Sequence, residues 1–299
     1  MTLFNTLLLR EWLQYKRAWI GLVLGPVLLL LALVPFSQVE GIDTPAPEPV
    51  ALIAGLVTVA LVLVLTVVLC GYQLMGLARR DQQDRSIEFW ASLPGSHAAS
   101  LGAPLLAHGL LVPLAATALA VLGGALIGAI MAFKEFGLAA LHQTQWAVLL
   151  QVTIWMGLRL LVGLAVAALW LAPFVVALMA ASAWLKRWGA PLLFIAVAAF
   201  LKIYKNEPAA EALARLLTRQ VGGAAQAMFL GAQTLLLKDE GREHVGLQEF
   251  FDALFRLPEV ARDTVPEVLQ LMAQPQFIGG LVFAALCFGL LVLQRKRSL

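Results

Sequence analysis

Side chains able to do chemistry are few and scattered in this chain. Four histidines stand at positions 97, 108, 142 and 244, and two cysteines, Cys70 and Cys287, each lie inside an apolar run. A zinc site gathers about four such ligands close together, and a disulfide framework needs more cysteines, so neither is expected. There is no G-x-x-x-x-G-K-[ST] loop to cradle nucleotide phosphates, no H-E-x-x-H and no G-x-S-x-G. Every Asp and Glu reads as part of a flank or loop, with no paired carboxylates inside an apolar run. That argues against a carrier driven by protons or sodium, which usually needs an intramembrane carboxylate or a polar broken helix. The chain is therefore expected to hold no cofactor and no metal of its own and to be no enzyme.

Two features stay chemically interesting. Arg159 sits about fourteen residues into the longest apolar run. Such a cation either snorkels to an interface or is a buried pathway charge, and the interface is the plainer expectation. The second feature is the stretch from Arg79 to Gly95, which mixes charge with aromatics. Asp81 and Arg85 stand four apart and can pair on a helix, and Asp84 or Ser86 can cap a short one. Ile87, Phe89, Trp90 and Leu93 give it an apolar side, Arg85, Glu88 and Ser92 a polar one, and Pro94-Gly95 stops it. A helix of this kind either rests on a membrane or plugs a groove in a partner.

The elements that must carry these residues follow from composition. Of 299 residues, 61% are hydrophobic and 13% charged, against roughly a quarter charged in soluble domains. With a mean hydropathy of +0.86, a soluble enzyme and a disordered chain are both excluded. The net charge of +3 is too small to argue for nucleic acid. A membrane helix needs about 20 apolar residues. Runs at about 18–36, 50–77, 101–133, within 146–185, at 188–204 and at 277–293 predict six spans in an all-α membrane protein. The run 146–185 would make roughly 60 Å of helix, twice a bilayer core, so it tilts and protrudes or breaks.

Lys and Arg in the short loops set the orientation. Arg10, Lys16 and Arg17, then Arg79, Arg80 and Arg85, then Lys186 and Arg187, then Arg295, Lys296 and Arg297 fall on one side, eleven in all. The two short loops opposite, 37–49 and 134–145, hold only Lys134. Both termini are thus expected in the cytoplasm, with the first span uncleaved. Residues 1–17 carry Phe4, Leu8, Trp12, Tyr15 and Trp19 against Thr6, Arg10, Gln14 and Arg17, the pattern of an interfacial helix. Four segments result: the interfacial helix 1–17; spans one to five over 18–204, with a cytoplasmic loop at 78–100; an extracytoplasmic helical segment 205–274; and the last span with its basic tail, 275–299. In the extracytoplasmic segment, leucines at 213, 216 and 217 mark one short helix, and apolar residues from Leu247 to Phe255 mark another. Thr264-Val265-Pro266-Glu267 reads as a capping box starting a third. Gly21-x-x-x-Gly25 and Gly124-x-x-x-Gly128 allow close helix contact.

The stretch Asp84-Arg85-Ser86-Ile87-Glu88-Phe89-Trp90-Ala91-Ser92-Leu93-Pro94 resembles the "DRS-x-x-FW-x-SLP" segment of bacterial ATP-binding-cassette (ABC) transporter permeases of the type-2 exporter class. Leu169–Pro173 with Ala181–Trp184 is similar to that family's fourth span, and Phe277–Leu281 running to Arg295-Lys296-Arg297 to its last span and basic tail. Gly95-Ser96-His97 and the segment Phe174–Met179 depart from the family pattern. The resemblance implies a permease of the bacterial inner membrane. It would pair with a second permease subunit, identical or homologous, above a cytosolic ABC ATPase dimer that holds ATP and Mg. It makes the loop the coupling helix, with Glu88, Phe89 and Trp90 in contact, Asp84 and Arg85 orienting it, and Leu93 and Pro94 closing it. An ATP-independent carrier or channel, or a membrane assembly subunit that transports nothing, are the readings from other classes. The basic count makes a direct prediction. A cysteine placed at Glu243 should react with an impermeant thiol reagent in intact cells, and one at Ser298 should not; the reverse pattern would overturn the orientation.

Overall fold

The computed structural model describes residues 3–37, 46–83, 96–229 and 247–297. Every regular element among them is helical. α1 (Leu3–Leu33) closes in a 3-10 turn at Val34–Phe36. α2 is Pro47–Gln83. α3 (His97–Leu106) passes through a π turn, Ala107–Leu111, into α4 (Val112–Phe136). The short α5 (Ala139–Gln143) precedes α6 (Trp146–Leu185). α7 (Gly189–Ile203), α8 (Pro208–Phe229), α9 (Leu247–Gln270) and α10 (Pro275–Arg297) complete the chain.

Five stretches are long and apolar enough to cross a membrane: Phe4–Phe36, Pro47–Leu77, His97–Phe136, Trp146–Leu185 and Pro275–Arg297. Large apolar side chains such as Val68, Leu122 and Leu286 lie on the outer surface. In water they would form aggregation-prone patches, whereas lipid tails are as apolar as leucine and accept them. The architecture is that of an α-helical multi-pass membrane protein. The expected fifth span, 188–204, is a helix of 15 residues, about 22 Å long against a core of about 30 Å.

Several boundaries differ from expectation. The interfacial helix and first span form one rod, because nothing between Leu3 and Leu33 breaks the ladder before the Val34–Phe36 turn, Pro26 included. The long run is likewise unbroken: α6 continues through Pro173 for 40 residues. The loop 78–100 is narrower than expected, since α2 runs on to Gln83 and α3 begins at His97, capped by the Ser96 side chain accepting from the Ala99 N–H at 3.1 Å. The capping box at Thr264 starts no helix. It lies inside α9, where the Thr264 hydroxyl donates back to the Val260 carbonyl at 2.7 Å.

Glycines fix the closest helix contact. A Cβ on Gly124 would sit 2.7 Å from the Gly55 carbonyl oxygen, and one on Gly128 would overlap the Ala51 carbonyl. α2 and α4 therefore meet backbone to backbone. Val27, Val50, Val62, Ala120, Ile127 and Met131 form the core beside them. Gly21 and Gly25 by contrast have nothing within 4 Å, so of the two G-x-x-x-G patterns only the second packs within the chain. Gly128→Leu should force α2 and α4 apart and cost roughly 1–3 kcal/mol, read as a lower melting temperature in detergent. Gly21→Leu should melt close to the wild-type chain.

Candidate functional site

The polar groups inside the bundle gather where helices meet. Arg159 does not snorkel: it is 6% exposed. Its Nη1 donates to the Ala227 carbonyl of α8 at 2.8 Å, and its Nε donates to Thr264 Oγ1 of α9 at 3.2 Å. One turn further on, Gly163 makes this possible. A Cβ there would stand 2.6 Å from Arg159 Nη1 and 2.5 Å from the Ala227 oxygen. Gly163 thus lets α8 approach closely enough for its backbone to be gripped, and Arg159 staples both α8 and α9 onto α6. Farther along α6, Gly223 of α8 lies against the Trp170 indole, and the Trp170 carbonyl accepts from Gln220 Nε2 at 2.9 Å. That bond sits beside Pro173, whose missing N–H weakens the local ladder. Gly280 of α10 leaves room for the Gln220 amide. The extra helices are thereby built into the bundle around Trp170, which is buried with Val166, Ala167, Ala224, Val268 and Phe277.

A second cluster joins α1 to the π turn. Glu11 is 1% exposed and His108 fully buried. His108 Nε2 lies 3.6 Å from Glu11 Oε2, and Arg10 Nη2 lies 3.0 Å from Glu11 Oε1. The imidazole stands edge-on to two aromatic rings, Tyr15 at 5.0 Å and Trp19 at 5.1 Å between centroids. Leu7, Glu11, Tyr15, Trp19, Val23 and Val27 thus form the inward stripe of α1, while Trp12 is 46% exposed. The aromatic stripe expected from sequence is therefore split between two faces. Glu11 went unnoticed because it lies outside the apolar run beginning near residue 18. The i, i+4, i+8 spacing of Glu11, Tyr15 and Trp19 was the available signal.

At the opposite end of α1, Lys134 Nζ donates to the Val34 carbonyl at 2.8 Å, to the Ser37 carbonyl and to Ser37 Oγ at 3.1 Å. It closes a helix C-terminus whose carbonyls lack intrahelical partners. Glu48, in the first turn of α2, accepts from the Gln145 N–H at 2.7 Å just before α6 begins. Between α1, α2 and α4 lies an apolar cavity of about 230 Å³ lined by residues including Leu30, Val34, Val57 and Met131.

The expected coupling residues Asp84, Arg85, Glu88, Phe89, Trp90, Leu93 and Pro94 lie outside the described residues. Their neighbours fix where the segment attaches: the C-terminus of α2 and the N-terminus of α3. No protein-family model, no curated protein and no solved structure matches the chain.

The Arg159 staple makes a prediction about stability. Each hydrogen bond to a charged group is worth roughly 1.5–3 kcal/mol. Arg159→Ala should lower the melting temperature in detergent most, and Thr264→Val should lose about half as much. Arg159→Lys should fall well short of wild type, because a single ammonium cannot reproduce the guanidinium fork. Wild-type melting in all three would mean that α8 and α9 are held some other way.

Proposed function

We propose that this chain is the membrane-spanning subunit of an ATP-driven exporter of the type-2 ABC class, in the bacterial inner membrane. The observation that carries the reading is the Asp84–Pro94 sequence and its place between two helices, α2 ending at Gln83 and α3 starting at His97. In this reading the segment is a coupling helix seated in a groove of a separate cytosolic ATPase dimer, which holds ATP and Mg. Closure of the ATPase dimer moves the segment, and the spans rock between inward- and outward-open states. A second permease subunit, identical or homologous, completes the pore.

An even number of crossings supports this orientation. Glu11 near the start of α1 contacts His108, and Gly102 of α3 lies beside Phe288 in the second half of α10. The early part of α1 and the late part of α10 therefore sit at the end of the bundle that carries α3. In the six-span reading α7 is the fifth crossing, with the bilayer thinned around its 15 residues. Arg295 to Arg297 then end α10 on the cytoplasmic side, where basic residues suit both a helix C-terminus and the positive-inside rule.

An ATP-independent carrier is the second reading, and one observation favours it: Glu11 places a buried carboxylate beside a buried histidine within the apolar stretch Phe4–Phe36. The two readings separate by experiment. Buried aromatic anchors at an interface typically carry about 2 kcal/mol or more. Trp90→Ala and Glu88→Arg should therefore weaken ATPase co-purification at least tenfold and abolish substrate-stimulated ATP hydrolysis, with expression unchanged. Binding and hydrolysis at wild-type levels in both variants would remove the coupling role. Uptake into vesicles without ATP would move the carrier to first place.

A further inference from the structure

The helical stretch His97–Phe136 is continuous but not uniform. It is α-helical on either side of a π turn at Ala107–Leu111, where the Val112 N–H reaches back five residues to the Ala107 carbonyl. Two prolines explain the irregularity. Pro113 has no N–H to give the Gly109 carbonyl, and its ring would crowd that oxygen in a regular helix. Pro104 likewise leaves the Ser100 carbonyl without its i+4 donor. The ladder is therefore weakened on both sides of His108, within a turn that already holds one residue more than an α-helix allows. π turns of this kind recur at functional positions in helices.

The side chain at the centre of this turn is gripped from outside. His108 is fully buried, faces the Glu11 carboxylate at 3.6 Å, and lies edge-on to both Tyr15 and Trp19. All three partners come from one face of α1. Contacts between α1 and α4 continue far above this point, where Val27 packs against Gly123. α4 is locked to α2 by the contacts of Gly124 and Gly128. α3, below the turn, has no such backbone lock among the described residues. It is a ten-residue rod attached to a fixed helix through a weakened ladder.

We infer that the π turn is a hinge between α3 and α4, and that Glu11 and His108 form the latch setting its angle against α1. With the latch closed, α3 and the early part of α1 move as one piece. With it open, α3 swings about residues 107–111 while α4 stays on α2. The inference concerns this chain alone and holds whether or not an ATPase drives the motion.

Distances between spin labels test it in the full-length chain in lipid nanodiscs, with Cys70 and Cys287 replaced by alanine. One label pair spans the latch, Leu13 to Ala98, and a second spans the hinge, Ala98 to Leu122. A third, Val68 to Leu122, reports the α2–α4 block. The wild-type chain should give one narrow distribution for each pair. Glu11→Gln and His108→Ala should broaden the first two by at least about one helical turn, 5 Å, and leave the third unchanged. The exchange Glu11→His with His108→Glu restores the pair of groups and should narrow both distributions again. Unchanged distributions in the single variants would overturn the inference. Broadening of the third pair would also overturn it, because the cluster would then hold the whole bundle together. Failure of the exchange to restore the distances would overturn the latch.

Discussion

The constraint on which this structure depends is that lipid offers no hydrogen bonds. Each point where a backbone carbonyl or amide leaves its helical ladder must find a partner within the protein. The chain meets that demand with polar side chains from neighbouring helices. Lys134 closes the carbonyls at the end of α1, and Gln220 binds the Trp170 carbonyl next to Pro173. Arg159 takes the Ala227 carbonyl near the end of α8, and Glu48 receives the Gln145 amide before α6. The residues that might have been read as transport chemistry therefore hold helices to one another.

The same constraint governs the glycines. A polar side chain reaches a neighbouring backbone only if that backbone comes close, so small residues stand beside each such bond. Gly163 accompanies Arg159, Gly280 accompanies Gln220, and Gly223 receives the Trp170 ring. Bond and close approach are one device made of two residues, and α6 uses it twice to incorporate α8.

How much of this was legible in the sequence follows from the physics. Long apolar runs are a local property, and the helices at 47–83, 146–185 and 275–297 correspond to runs visible by eye. Which face of a helix turns inward is a different matter. In α8 the leucines looked like the packing face, yet Leu216 is exposed while Gln220, Gly223, Ala224 and Ala227 are buried. Apolarity does not point to the interior when the surroundings are also apolar; small size and hydrogen-bonding capacity do. The partners of Arg159 lie 68 and 105 residues away, and no local pattern encodes them. Thr264 misled for a related reason: its hydroxyl, read as a cap, instead serves its own helix and Arg159. The Asp84–Pro94 segment is the reverse case, a distinctive sequence bounded by two well-defined helix ends.

The seam of Gly55, Gly124, Gly128 and Ala51 has a thermal consequence. When two backbones touch through glycine, almost no side-chain rotamers are frozen. Inside a bilayer no water is released either, so the large heat-capacity change that accompanies apolar burial in water is missing. What remains is dispersion between closely fitted surfaces. The strength of such a seam varies little with temperature, without the fall on cooling that marks a core made by excluding water. The α2–α4 pair is thus a block whose cohesion stays nearly constant over the range in which the surrounding lipid changes from stiff to fluid.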